Sequence, residues 1–317
     1  MPMDQGGDIM NRKLTNPNAT AEAVRLYDYL CSLNGRGCLT GQMESGWCGT
    51  HEHEINYLLM RTGRMPAIRG LDFIDNDFGG VVRRAGDWHA RGGIVTICWH
   101  TGADFASSYM QSKEDELDWE NAFTEGTEQH RALLAGMDRA VPYLKRLQHM
   151  GVPVLWRPFH EMDGKWFWWG RGGAKGFVKL WRLMYDRYTN LHGLNNLIWV
   201  LGFSDAPGDL APWYPGDDVV DILGGDSYQG GAQGELYRKC AAIAPEGMPV
   251  CYHENGEIPT AQMMKDEKAP WVWFMTWHTR WLTSEEFNTG ERLREVYRDP
   301  YFVTLNGVPD LISEKAE

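Results

Sequence analysis

Short apolar runs recur along the chain at 37–41, 66–71, 94–99, 153–157, 197–201, 219–223, 249–252 and 272–276. Each is bounded by Gly, Pro or polar residues, and runs of this length predict strands. Longer stretches with apolar residues at helical spacing lie between most of them, at 52–61, 81–90, 128–150, 175–191, 234–243 and 260–266. A last helix is predicted at 290–298, after the eighth strand. The link 202–218 is rich in Pro and Gly and predicts only a short helix. Strands alternating with helices imply a parallel sheet. Eight such units without a Gly-rich nucleotide loop favour a closed (β/α)8 barrel over an open sheet. No internal repeat or linker divides the chain. The expectation is one domain over residues 1–317, with the polar residues 1–18 as a flexible amino-terminal arm.

Length agrees with this picture. A barrel of this kind takes about 250 residues plus insertions, and the chain has 317, of which 43% are hydrophobic. No apolar run approaches the ~20 residues of a membrane span, and the start lacks the apolar core of a signal peptide. Localisation stays open: secreted if a signal has been removed, cytoplasmic otherwise. The formal charge is −12, and Lys and Arg are scattered without a basic stripe. This argues against nucleic acid as a partner. A monomer is the simplest assembly. The six cysteines lack the CxxC pairs of zinc or redox sites. Cys31, Cys38 and Cys48 are close enough in sequence for one disulfide, but free thiols are the expectation in a chain this large.

Fifteen Trp, 13 Tyr and 11 Phe make the chain aromatic. Core packing accounts for some of them. Others, as in Lys165-Trp166-Phe167-Trp168-Trp169-Gly170, lie among loop residues. There, flat rings with a polar edge suit the faces of sugars.

Barrel enzymes draw catalytic residues from the carboxyl ends of their strands. Two ends are loaded. Strand four ends Arg157-Pro158-Phe159-His160-Glu161, because Pro158 cannot donate to the ladder. Strand seven ends His253-Glu254, followed by the turn residues Asn255-Gly256. Glu161 and Glu254 therefore lie across the barrel mouth. A pair of carboxyls about 5–5.5 Å apart is what double-displacement cleavage of a glycosidic bond needs. One is the acid/base and has a raised pKa; the other is the nucleophile. Glu257 is a nearby rival to Glu254.

At these residues the chain resembles glycoside hydrolase family 26, a family of retaining barrel glycosidases rich in mannanases. The segment Arg157 to Met162, followed by Trp166 to Gly170, carries the closest likeness. Tyr214 to Asp218, Val220-Asp221-Ile222, Asp226-Ser227-Tyr228, Trp273 to Trp277 and the ending Leu293 to Pro309 resemble it too. The likeness covers roughly residues 35–310. It implies Glu161 as acid/base and Glu254 as nucleophile. It also implies that Arg157, His160, Tyr228, Trp277 and His100 surround the reacting sugar, with Tyr228 bonded to the nucleophile. Trp166 and Trp119 would be stacking platforms. One departure is His253, where the family often has a small or apolar residue.

Two further groups invite metal readings. His51-Glu52-His53-Glu54 lacks the HExxH spacing, and a solvated helix start is the simpler account. Asp72, Asp75 and Asp77 lack the rest of a calcium loop; Asp72, at a strand end, is a candidate support for the site. No metal or cofactor is expected. The leading expectation is a retaining endo-β-1,4-mannanase acting on mannan or glucomannan. The same mechanism on β-1,3-1,4-glucan or xylan stays open. So do an oligosaccharide-binding barrel without catalysis and a metal-dependent hydrolase.

Overall fold

The computed structural model describes residues 12–311. The eight expected strands are present as β1 (Cys38–Met43), β2 (Ile68–Asp72), β3 (Ile94–Cys98), β4 (Val154–Arg157), β5 (Leu197–Ser204), β6 (Ile222–Ser227), β7 (Val250–Asn255) and β8 (Trp273–Thr276). All pair in parallel in chain order, and β1 pairs with both β8 and β2, so the sheet closes. A two-residue strand, β9 (Phe302–Val303), runs beside the start of β1.

Alternation along the strands separates two apolar layers. Leu155, Ile198, Val200, Ile222, Cys251 and Met275 fill the barrel interior. Their neighbours Trp156, Leu197, Trp199, Leu201, Tyr252 and Phe274 pack under the helices. Gly70 of β2 makes room for this filling. A Cβ there would lie 2.7 Å from the Met43 sulfur and 3.0 Å from that of Met275.

The main outer helices are α1 (Ala21–Leu33), α2 (His53–Thr62), α3 (Phe78–Ala90), α4 (Glu128–Asp138), α5 (Val141–His149), α6 (Gly173–Tyr185), α7 (Gly234–Ile243), α8 (Ala261–Asp266) and α9 (Gly290–Arg298). The single helix expected over 128–150 is two, because Pro142 cannot continue a helix and instead opens α5. The stretch expected as helix over 175–191 is α6 followed by π-helical turns at Asp186–Leu191. Helix α1 was not foreseen. Thr20 caps it, and Leu26, Tyr27 and Leu30 are buried with the interior layer.

Of the expected arm over 1–18, residues 1–11 lie outside the described residues. The remainder does not hang free. Thr15 N–H donates to Asp221 Oδ1 at 2.7 Å, and the buried Asn16 donates to Asn195 Oδ1 at 3.1 Å. Asp221 also accepts from Trp199 N–H at 2.8 Å. The expected strand over 219–223 begins later, as β6 at Ile222. Burial pushes the Asp221 carboxyl up to about 6.

Candidate active site

Inward-facing positions at the carboxyl ends of the strands gather the polar residues. On β3 the alternation that points Thr96 and Cys98 inward also brings in His100, while Trp99 packs outward. His100 N–H donates to Asp72 Oδ1 at 3.0 Å, and its Nδ1 lies 2.5 Å from Asp72 Oδ2. Burial raises the Asp72 carboxyl, but its contacts with His100 outweigh that and hold it below the usual carboxylate range. Asp72 thus fixes the imidazole through Nδ1 and leaves Nε2 for the barrel mouth.

Strand β4 ends by turning sharply. Phe159 and Glu161 both have φ of +54°, which non-Gly residues seldom adopt. The turn is held by Glu161 N–H to Gly202 O at 2.8 Å. It sends Phe159 outward against Trp168 and Trp169 and turns Arg157, His160 and Glu161 to the mouth. Behind it, Trp169 Nε1–H donates to His160 O at 2.7 Å and Trp168 Nε1–H to Thr101 O at 2.8 Å. Both rings are fully buried. The Trp-rich segment is therefore mainly a brace. Its half-exposed member, Trp166, donates from Nε1 to Glu161 Oε2 at 2.8 Å.

On β7, Gly225 of β6 pairs with Tyr252 but Asp226 pairs with Glu254, so His253 is an extra residue in the ladder. This is a β-bulge. Without it Glu254 would follow Tyr252 outward by parity. With it, His253 and Glu254 both face in. His253 Nε2 lies 3.2 Å from Thr96 Oγ1 across the barrel. Burial, then the charge of Arg157, holds its imidazole well below the usual range, so it is neutral.

Arg157 sits between two carboxylates. It donates to Asp226 Oδ2 at 2.8 Å and to Glu254 Oε1. Tyr228 O–H donates to Glu254 Oε2 at 2.8 Å. His160 Nε2 lies 3.6 Å from Glu254 Oε1, and burial with the neighbouring Arg157 keeps that ring neutral. One oxygen each of Glu161, Asp226 and Glu254 lie within 4.8 Å of one another. An approach this close is well short of the roughly 6.5–9.5 Å of an inverting pair and lies on the side of the about 5–5.5 Å of a retaining one. Burial, then the charge of Glu254, pushes the Glu161 carboxyl up to about 8. One carboxyl thus carries a proton at neutral pH, while its partner accepts from a cation and a phenol, an arrangement suited to a carboxylate.

Trp277 N–H donates to Asn255 O at 2.9 Å. Its ring stands 6.1 Å from that of His100, and both line a cleft of about 630 Å³. The cleft opens over the ends of β8, β1, β2 and β3, beside the glutamates. Its floor carries Glu44, paired with Arg69 at 2.7 Å and Arg84 at 2.8 Å.

Glu161, Glu254, His100, Arg157, His160, Trp166, Tyr228 and Trp277 are thus brought together. Trp119 is not. Its ring stacks on Phe123 and packs over Gly172 and Gly176 at the start of α6, where small residues admit it. Glu257, the rival to Glu254, pairs with Arg292 and also accepts from Gly231 N–H. Asp226 was missed as a site residue. Its signal was parity: it lies two residues before Tyr228 at a strand end, on an inward position.

Among the described residues, three groups of side chains bring possible metal donors within 4.8 Å. In the group formed by Glu161, Asp226 and Glu254, Arg157 already bridges Asp226 and Glu254. In the second, Asp72 is bonded to His100. In the third, Cys48, His53 and Glu54, both Glu54 oxygens accept from Ser45, and one of them also accepts from Thr279. Asp72, Asp75 and Asp77 all line the cleft, but Asp77 caps α3 and pairs with Arg84 at 3.0 Å, and the three do not form one of these groups. All six cysteines are free thiols. No helix among the described residues is long and apolar enough to cross a membrane.

The family model for glycosyl hydrolase family 26 matches residues 15–307. The chain is 35% identical to a mannan endo-1,4-beta-mannosidase of Thermothelomyces thermophilus, over 94% of this chain and 64% of that protein. It is 33% identical to mannan endo-1,4-beta-mannosidase B of Piromyces sp., over 95% of this chain and 54% of that one. The chain thus spans less than two thirds of the length of these relatives. Among solved structures it is similar to a ruminal GH26 endo-beta-1,4-mannanase, with TM-score 0.88 and 30% identity, covering 96% of this chain and 72% of the other. It is likewise similar to a beta-mannanase from a symbiotic protist of the termite Reticulitermes speratus, complexed with gluco-manno-oligosaccharide. There the TM-score is 0.84 and the identity 31%, over 94% and 97% of the two chains. With a closed barrel, loaded ends on β4 and β7, and a family match that spans nearly the whole chain, this protein belongs to glycosyl hydrolase family 26.

Proposed function

We propose that the chain is a retaining endo-β-1,4-mannanase that cleaves mannan or glucomannan by double displacement. The observation that carries the mechanism is the Glu161–Glu254 pair, close together and in opposite electrostatic settings. In the first step Glu161 gives its proton to the glycosidic oxygen as the bond from that oxygen to C1 breaks. Glu254 attacks C1 from the other face, and the shortened chain leaves as an alcohol. In the second step Glu161, now a carboxylate, takes a proton from water. The water oxygen attacks C1, the ester to Glu254 breaks, and both residues return to their starting states. Arg157 and Tyr228 hold Glu254 in position for attack. Trp166 orients Glu161.

The choice of mannan is supported by relatives named mannan endo-1,4-beta-mannosidases over nearly all of this chain. The test is incubation with mannan, glucomannan, xylan and mixed-linkage glucan, with products separated by size and their first-formed anomer read by NMR. A range of mannan oligosaccharides appearing early, with the β anomer first, is expected. Release of single sugars only, an α anomer first, or faster cleavage of xylan or mixed-linkage glucan would overturn the reading. So would full activity on mannan after Glu161→Ala or Glu254→Ala. A chelator leaves the reaction intact.

A further inference from the structure

The run His51-Glu52-His53-Glu54 has no part in the chemistry above, and its residues go to different places. His51 faces the cleft, Glu52 pairs with Arg69 at 2.7 Å, and His53 opens α2. Glu54 is fully buried. A buried carboxylate is ordinarily paired with a cation. Among the described residues Glu54 has no such ion pair. Neutral donors hold it instead: Ser45 N–H at 3.1 Å, Ser45 O–H at 2.7 Å and Thr279 N–H at 3.0 Å.

Those partners lie on two different loops. Ser45 stands two residues before Trp47, after β1. Thr279 stands two residues after Trp277, after β8. Thr279 has φ +54° and ψ −123°, a backbone state that β-branched residues rarely adopt. A hydrogen bond from its N–H to a buried carboxylate helps hold it there. Beyond the carboxylate the two loops meet again. Trp47 and His278 pack edge to face with centroids 4.6 Å apart, and His278 lies 4.7 Å from Trp277. Trp47 is 60% exposed and, like Trp277 and His278, lines the cleft. An exposed indole fixed at the rim of a cleft offers a face to a sugar ring.

We propose that Glu54 is a positioning residue that sets Trp47 and the Trp277–His278 pair as one wall of the cleft, and that this wall binds sugar units beyond the reacting one on its glycone side. The proposal rests on the function proposed above. The glycone side follows because the cleft joins His100 and Trp277, whereas Trp166, the partner of the acid, lies outside its lining.

The test is hydrolysis of linear β-1,4-manno-oligosaccharides of increasing length by the wild-type protein, Glu54→Gln, Trp47→Ala and the double variant. Glutamine keeps the shape but cannot accept from all three donors. For the longest substrate, KM is expected to rise about tenfold in each single variant while kcat stays within about threefold, the mark of lost binding rather than lost chemistry. The gain in kcat/KM with chain length should flatten. The double variant should lose little more than the worse single variant, because both act on one wall. If Glu54→Gln does not fold, Ser45→Ala removes one donor, and the exposed Trp47 still tolerates Ala; the same comparison then applies. A Glu54 or Ser45 variant that lowers kcat equally at every length, or that adds fully to Trp47→Ala, defeats the clamp alone. A wild-type protein that leaves every manno-oligosaccharide intact defeats the proposed function and the clamp with it.

Discussion

His253 and Glu254 are neighbours on one strand, yet both point into the barrel. The bulge between Gly225/Asp226 and Tyr252/Glu254 produces this, and the His253 contact with Thr96 anchors it. Deleting His253 should make the pairing regular and leave Glu254 facing in, because Glu254 would then follow the outward Tyr252 directly and still pair with Asp226. The expected result is a folded barrel by circular dichroism that keeps kcat within about tenfold of wild type. His253→Ala keeps the residue count, so it should cost mainly stability, about 2–4 kcal/mol for the lost packing and hydrogen bond. Denaturant unfolding alongside kcat separates the two outcomes. A deletion variant that folds but loses kcat by about 10³-fold or more would contradict the parity account.

As the proposed acid, Glu161 should set the alkaline limb of activity. Its carboxyl, raised to about 8 by burial and by Glu254, is the form that donates the proton. The second-order rate constant should therefore fall as pH rises through about 8, measured as kcat/KM against pH, which reports the free protein. The sign for stability follows from the same shift. A carboxyl raised in the folded state loses its proton first in the unfolded chain, so stability falls as pH rises from its ordinary value toward 8. Glu161→Gln should remove that part of the decline in a series of melting temperatures.

Trp166 donates to Glu161 and so favours its charged form. Trp166→Phe keeps a ring but removes the donor. The Glu161 carboxyl should rise further, and the alkaline limb should move to higher pH, with kcat reduced about tenfold through looser orientation of the acid. A limb that moved to lower pH would show that the bond does not act in this way.

Trp119 packs on Phe123 and over Gly172 and Gly176. Trp119→Ala should therefore lower stability by about 2–4 kcal/mol and leave KM for mannan oligosaccharides within about twofold. A large rise in KM at unchanged melting temperature would return Trp119 to the role of a sugar platform.

The sequence alone determined the barrel and the place of Glu161 at its mouth. Eight short apolar runs separated by amphipathic stretches have few other solutions, because each strand must bury both faces. Glu161 was legible because Pro158 ends β4 in front of it and the surrounding motif is dense. Helix α1 escaped because it precedes the first strand and covers the barrel end, a contact that strand and helix alternation does not describe. Three things required the tertiary structure. Whether Glu254 faced in depended on a one-residue bulge, and parity read along β7 alone gives the opposite answer. Which tryptophans faced solvent depended on neighbours distant in sequence: Trp168 and Trp169 are buried by the loop after β3 and the turn of β4, whereas Trp47 and Trp166 are exposed. The raised carboxyl of Glu161 depended on burial and on the approach of Glu254 from the other side of the mouth. Burial and distance between remote residues are properties of the closed barrel, so local sequence fixes which groups are available and closure decides what they do.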